Sequence, residues 1–194
     1  MSRLHYPGMV LLCMLSCGLI PRSQAEELKA GVFTPARPAP DFVLKGSNGS
    51  DLELSKYHGK IVVLGFGYSS CTNVCPITLA VLAQAYRQLG TQASQVQVLY
   101  LTVDPARDTQ ARLKQYLTAF DPSFIGGTGT DEEMSAVRKL YGVTAEKHEF
   151  GKDYVIAHSS FIFLIDRNGK IRAIMPFGHK AADYVHDLKL LLKE

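Results

Sequence analysis

The chain has 194 residues, 46% apolar and 20% charged, and its 21 Lys and Arg against 18 Asp and Glu leave a formal net charge of +3. That length suits one domain with a sizeable core. So small a charge gives no electrostatic ground for nucleic-acid binding.

Residues 1–25 stand apart from the rest. Arg3 is followed by an apolar run from Met9 to Ile20, then Pro21, and Ser23-Gln24-Ala25 supplies the small residues a signal peptidase needs. The run is short of the roughly 20 residues that cross a bilayer, so a cleaved secretory signal and a periplasmic protein are expected, with a retained inner-membrane tether as the alternative. Leu15-Ser16-Cys17-Gly18 faintly resembles a lipoprotein cleavage site, which adds lipidation at Cys17 as a minor alternative. Cleavage takes two of the 21 basic residues and no acidic one, leaving 19 against 18 and a net +1. It also removes Cys13 and Cys17. Cys71 and Cys75 then remain alone in a compartment that oxidises thiols, which argues for chemistry on the pair over a disulfide framework.

Residues 26–40, with Pro35, Pro38 and Pro40, read as an extended, unpacked tether ahead of a domain at 41–194. Asp41–Leu44 and Asp51–Leu54 read as an N-terminal hairpin around Asn48-Gly49. Ile61–Tyr68 is apolar enough for a buried strand, and Ile77–Leu89 repeats apolar residues at helical spacing until Gly90. Between them stand Cys71 and Cys75, with Pro76 tolerated in a first helical turn. Unpaired N–H groups at a helix start stabilise thiolate, so both sulfurs are expected to be good nucleophiles and soft-metal ligands. A static disulfide is the plainer alternative.

Val96–Val103 predicts a second central strand, Thr109–Phe120 a helix, and Phe124–Gly126 a strand fragment. Thr130 with Glu133 makes a capping box for a helix to Tyr141, stopped by Gly142. Ala145–Ala157, of mixed polarity, reads as a loop. Ser160–Ile165 and Lys170–Met175 then form an antiparallel pair across Asp166-Arg-Asn-Gly169, and Ala181–Lys193 closes as an amphipathic helix. This order indicates an α/β, thioredoxin-like sandwich: a mixed central sheet flanked by helices, with an N-terminal β-hairpin.

Three residues separate the cysteines where thioredoxins have two. At i and i+4 both sulfurs are expected on one helical face, able to close a disulfide or open onto one ion. Thiolates select soft ions, above all Cu(I), and one imidazole would complete a site that also tolerates Cu(II). His158 is the candidate, because the loop entering the Ser160–Ile165 strand faces the cysteine helix in such folds. His148 and His179 read as surface residues, with His148 a weaker alternative ligand. Asp104-Pro105 ends the second central strand on the rim where α/β folds bind ligands, although Asp104 reads equally well as an N-cap.

Cys71-Thr-Asn-Val-Cys75-Pro76, Thr102-Val-Asp104-Pro105 with Asp108-Thr109, and Asp153-Tyr-Val-Ile-Ala-His158-Ser159 resemble the Sco/SenC family of copper-binding assembly factors for cytochrome c oxidase, over about residues 41–190. The resemblance implies Cys71, Cys75 and His158 as copper ligands, with Asp104 as an acidic residue beside the metal. It further implies copper delivery to oxidase subunit II or a similar acceptor, or reduction of that subunit's cysteines. A periplasmic copper donor or thiol reductase would serve as further partner, and a monomer is expected. Thr72 and Asn73 stand where many members have Pro and Asp, and Ala157 where many have Asp, so negative charge near the metal is reduced.

Overall fold

A computed structural model describes residues 27–194; the leader with Cys13 and Cys17 lies outside them. In chain order the elements are β1 (Gly31–Pro38), β2 (Val43–Gly46), β3 (Asp51–Glu53), β4 (Ile61–Gly67), α1 (Val74–Leu89), β5 (Val96–Thr102), α2 (Gln110–Thr118), β6 (Ile125–Thr128), α3 (Asp131–Tyr141), β7 (Ala145–Phe150), β8 (Asp153–His158), β9 (Phe161–Ile165), β10 (Lys170–Pro176) and α4 (Ala181–Lys193).

Eight strands form one mixed sheet in the order β1-β10-β9-β4-β5-β6-β2-β3. β4, β5 and β6 run parallel, and the remaining neighbours pair antiparallel. Every residue of β4 and β5 is buried, as their largely apolar runs require of central strands. A parallel pair needs a crossover, and α1 supplies it between β4 and β5. α1 packs against α4, while α2 lies on β6, where Leu113 and Leu117 press on Gly126. From α3, Tyr141 sets its ring against Phe66 and Phe163 and donates to the Pro40 carbonyl at 2.7 Å. The Thr130–Glu133 capping box is present and the helix ends in left-handed Gly142 (φ 67°). The expected thioredoxin-like α/β architecture and N-terminal hairpin are therefore found.

Two expectations are corrected. The Pro-rich stretch taken for unpacked tether contains β1, which pairs with β10, so the packed body begins upstream of residue 41. Edge strands tolerate proline because one row of backbone groups needs no partner, and the pairing shifts register between Val32 and Arg37, around Pro35. Asp187 fastens this end: its fully buried carboxylate accepts the N–H groups of Lys29 and Ala30 at 2.8 and 2.9 Å. The second correction is Ala145–Ala157, which is the hairpin β7–β8 and not a loop. It forms a two-stranded sheet of its own beside the main one. β7 is almost wholly exposed, so no buried face patterned its sequence.

Candidate metal centre

Parallel β4 and β5 end side by side, with Gly67 opposite Thr102, so the segments leaving them meet on one rim. From β4 the chain turns through Tyr68-Ser69-Ser70 to Cys71, whose N–H bonds the Tyr68 carbonyl at 3.2 Å. α1 begins only at Val74. Cys71 therefore sits in the preceding loop and Cys75 in the first helical turn, which corrects the picture of two sulfurs on one helical face. Both are free thiols, Cys71 half-buried and Cys75 buried.

Their environments split them. At Cys71, burial favours the neutral thiol, but the N–H groups of Cys75, Asn73 and Val74 and the Cys75 side chain outweigh it and pull the pKa below the ordinary 9.0. At Cys75, burial dominates and pushes the thiol up to about 12, against hydrogen bonds from the Tyr100 hydroxyl and the Tyr68 backbone. Only the first sulfur is thus shifted toward the thiolate expected of both.

His158 closes the site from the end of β8, with Nε2 3.5 Å from the Cys75 sulfur. Its Nδ1 lies 2.9 Å from the Ser159 carbonyl oxygen. A carbonyl can only accept, so Nδ1 carries the proton and Nε2 turns its lone pair toward Cys75. Burial holds the imidazole below its usual pKa, against the Ser159 contact, which keeps that lone pair available. The Tyr68 ring stands edge-on to the imidazole at 6.0 Å. Between Phe66, Cys75, Thr78, Tyr100 and His158 lies a void of about 10 Å³, roughly the room of one water or ion.

The soft donors this rim offers are two sulfurs and one imidazole nitrogen, residue types that could hold a soft ion such as Cu(I). Among the described residues no three His, Cys, Asp or Glu side chains stand in a finished metal cage. The contact that is present joins Cys75 to His158, with Cys71 hydrogen-bonded to Cys75.

Asp104 is on this rim and only 3% exposed, but its carboxylate is engaged elsewhere: Oδ1 accepts the Tyr154 hydroxyl at 2.8 Å and Oδ2 accepts Arg107 Nε at 2.5 Å. His148 is exposed on β7 near Glu146, and His179 lies by Asp183, so the structure brings neither to the cysteines.

The roles of several residues here escaped sequence reasoning. Asp108 is fully buried and accepts the Ser69 N–H at 3.0 Å, the Ser69 hydroxyl, and the Thr102 hydroxyl at 2.7 Å, thereby fixing the turn that presents Cys71. Arg112 adds bonds to the hydroxyls of Ser69 and Ser70 at 2.6 and 3.0 Å. Tyr100 reaches Cys75 because Gly67 leaves space: a Cβ there would stand 1.8 Å from the Tyr100 hydroxyl. A glycine inside an otherwise apolar strand is the one sequence signal of that close approach.

The SCO1/SenC family profile matches residues 33–193. An SCO2-like protein of Rickettsia conorii is 34% identical over 133 residues, 67% of this chain and 65% of that protein. The mitochondrial protein SCO1 of Saccharomyces cerevisiae is 35% identical over 148 residues, 74% of this chain and 50% of that one. The chain thus spans between half and two thirds of these relatives' length. Among solved structures, copper-bound ScoI of Bradyrhizobium japonicum superposes with a TM-score of 0.73 at 33% identity, covering 78% of this chain and 98% of that chain. Copper-bound yeast Sco1 gives 0.73 at 30%, covering 81% and 90%. With the profile spanning the sheet, the cysteine loop and the β8 histidine alike, the chain belongs to the SCO1/SenC family.

Proposed function

We propose that this protein binds one copper ion through Cys71, Cys75 and His158 and delivers it to subunit II of cytochrome c oxidase or a similar copper acceptor. The observation that carries the reading is the imidazole lone pair held 3.5 Å from the Cys75 sulfur. A disulfide enzyme has no need of it, whereas Cu(II) prefers nitrogen donors. Two solved relatives are described as copper-bound, which supports the same cargo here. When bound, copper takes its charge neutralisation from the sulfurs; the protein's own part is to ease ionisation of Cys71, keep His158 neutral and hold both next to Cys75.

Residues 1–25 would act as the export signal, placing a monomeric domain in the periplasm or on a membrane tether. A copper donor or thiol reductase would meet it there, since a closed Cys71–Cys75 disulfide leaves no thiolate to bind. A second reading, thiol-disulfide exchange with a partner protein's cysteines, is favoured by the split between the sulfurs: Cys71 is set to attack and Cys75 to resolve from beneath.

Titration of reduced protein with Cu(I) and with Cu(II), in wild type and His158→Ala, tests the choice. The copper reading expects the variant to retain Cu(I) and lose most Cu(II) affinity together with the sulfur-to-copper absorption bands. Absence of Cu(II) binding in the wild type would favour thiol exchange.

A further inference from the structure

β7 and β8 share no ladder with the main sheet; β8 runs into β9 just after His158, and upstream of that junction it is held against the body by side chains. Its burial alternates, and Tyr154, Ile156 and His158 share the inward face. Each has its own grip on the body. Tyr154 donates its hydroxyl to Asp104, the Ile156 N–H bonds the Tyr68 hydroxyl at 3.2 Å, and His158 meets Cys75. The first grip has the most partners. Asp104 is buried at the end of β5, its N–H held by the Thr102 hydroxyl at 2.9 Å, and Arg107 ties it to the hairpin again. Arg107 bonds the Asp153 carboxylate at 3.1 Å and the Tyr154 carbonyl at 3.3 Å, and its guanidinium lies 3.7 Å over the Tyr154 ring. Lys147 covers the same ring at 4.2 Å.

From this geometry we propose that Tyr154, clamped between Asp104 and Arg107, is a positioning residue that sets the register of β8 and so holds His158 against Cys75. As far as copper is concerned, the proposal rests on the reading of Cys71, Cys75 and His158 as donors. Asp104 then acts on the site mechanically, through Tyr154, because its two oxygens point to Tyr154 and Arg107 and not to the cysteines. Tyr154 and His158 are four residues apart on one strand, about 13 Å, so a slip at the latch is carried straight to the imidazole.

Tyr154→Phe tests this, since it keeps the ring under Arg107 and removes only the hydroxyl. In reduced, copper-free protein, amide exchange across residues 154–158 is expected to speed up about tenfold, with the exchange of β4 and β5 unchanged. On copper titration, Cu(II) affinity is expected to fall about 10- to 100-fold with an altered electron paramagnetic resonance signal, while Cu(I), satisfied by the two sulfurs, stays within about twofold. Asp104→Asn, which still offers Tyr154 an acceptor, is expected to preserve more of the Cu(II) signal than Asp104→Leu. Unchanged hairpin exchange in Tyr154→Phe overturns the latch whether or not copper binds. Faster exchange with an unchanged Cu(II) signal also overturns it, because His158 would then hold its place without Tyr154. Loss of the copper reading shows separately, as wild-type protein that binds no Cu(II) or is indifferent to His158→Ala.

Discussion

Gly67→Ala probes the packing beneath the cysteines. The added methyl would stand 1.8 Å from the Tyr100 hydroxyl, 2.5 Å from the ring carbon that bears it, and 3.0 Å from the Cys75 sulfur. Ordinary carbon contacts begin near 3.5 Å, so the tyrosine tip must retreat by roughly 2 Å. Tyr100 is 2% exposed in a central strand and has no solvent to swing into. Gly67 is not among the glycines with positive φ, so the backbone accepts alanine and the cost is steric alone. Overpacking of this kind costs about 1–3 kcal/mol, and the lost Tyr100–Cys75 hydrogen bond about 1 more. Alanine recovers about 0.4–1 kcal/mol by stiffening the unfolded chain. A net loss of about 1–3.6 kcal/mol corresponds to a fall in Tm of roughly 2–14 °C for a domain of this size. Thermal melts of reduced wild type, Gly67→Ala and Gly67→Ala/Tyr100→Phe provide the measurement. The double variant removes the atom at 1.8 Å but keeps the ring carbon, so partial recovery is expected. A single variant melting within about 1 °C of wild type would refute the argument.

Limited alkylation of the reduced protein at neutral pH should label Cys71 and spare Cys75, since one thiol is ionised early and the other is buried; equal labelling on peptide mapping would contradict the split. The stability of reduced, copper-free protein should fall as pH climbs from about 9 toward about 12, because unfolded Cys75 ionises there while the folded thiol stays protonated. Cys71 has the opposite sign: its lowered folded value contributes stability that is complete above about 9 and is lost as pH falls through that value. Urea unfolding across pH for wild type and Cys75→Ala checks both, and an equal alkaline loss in the variant would clear Cys75. Asp108→Ala should cost about 3 kcal/mol, through stranded donors at Ser69 and Thr102, and should loosen the Cys71 loop; a cost below about 1 kcal/mol in urea unfolding would show that the turn stands without it.

What could be read in advance followed burial. β4 and β5 announced themselves by largely apolar runs, α3 by its capping box and terminal glycine, and β9–β10 by the hairpin turn at Asp166–Gly169. His158 was legible because the strand it precedes was. β7–β8 was not, because an exposed hairpin held by side-chain grips carries almost no periodic signal in AEKHEF. β1 was hidden by prolines that an edge strand accepts. At the site the donors were legible by type, but the inequality of Cys71 and Cys75 was not, since it depends on where α1 begins and on which sulfur lies under Tyr100 and His158. Asp108 and Tyr100 sit in motif and strand positions whose residue type is the same whether the side chain packs or positions.

The way residues 29–38 are fastened has a bearing on orientation. With Lys29 and Ala30 clasped by Asp187 of α4 and Gly31–Pro38 laid along β10, the chain upstream leaves from a fixed point on the domain's flank. If the leader stays in a membrane, the eight residues between Ile20 and Lys29 bound the reach from bilayer to that flank at about 29 Å, at most about 3.6 Å for each. The cysteine rim would then stay within that tether and one domain's breadth of the bilayer, and an acceptor of its cargo would have to meet it inside that shell.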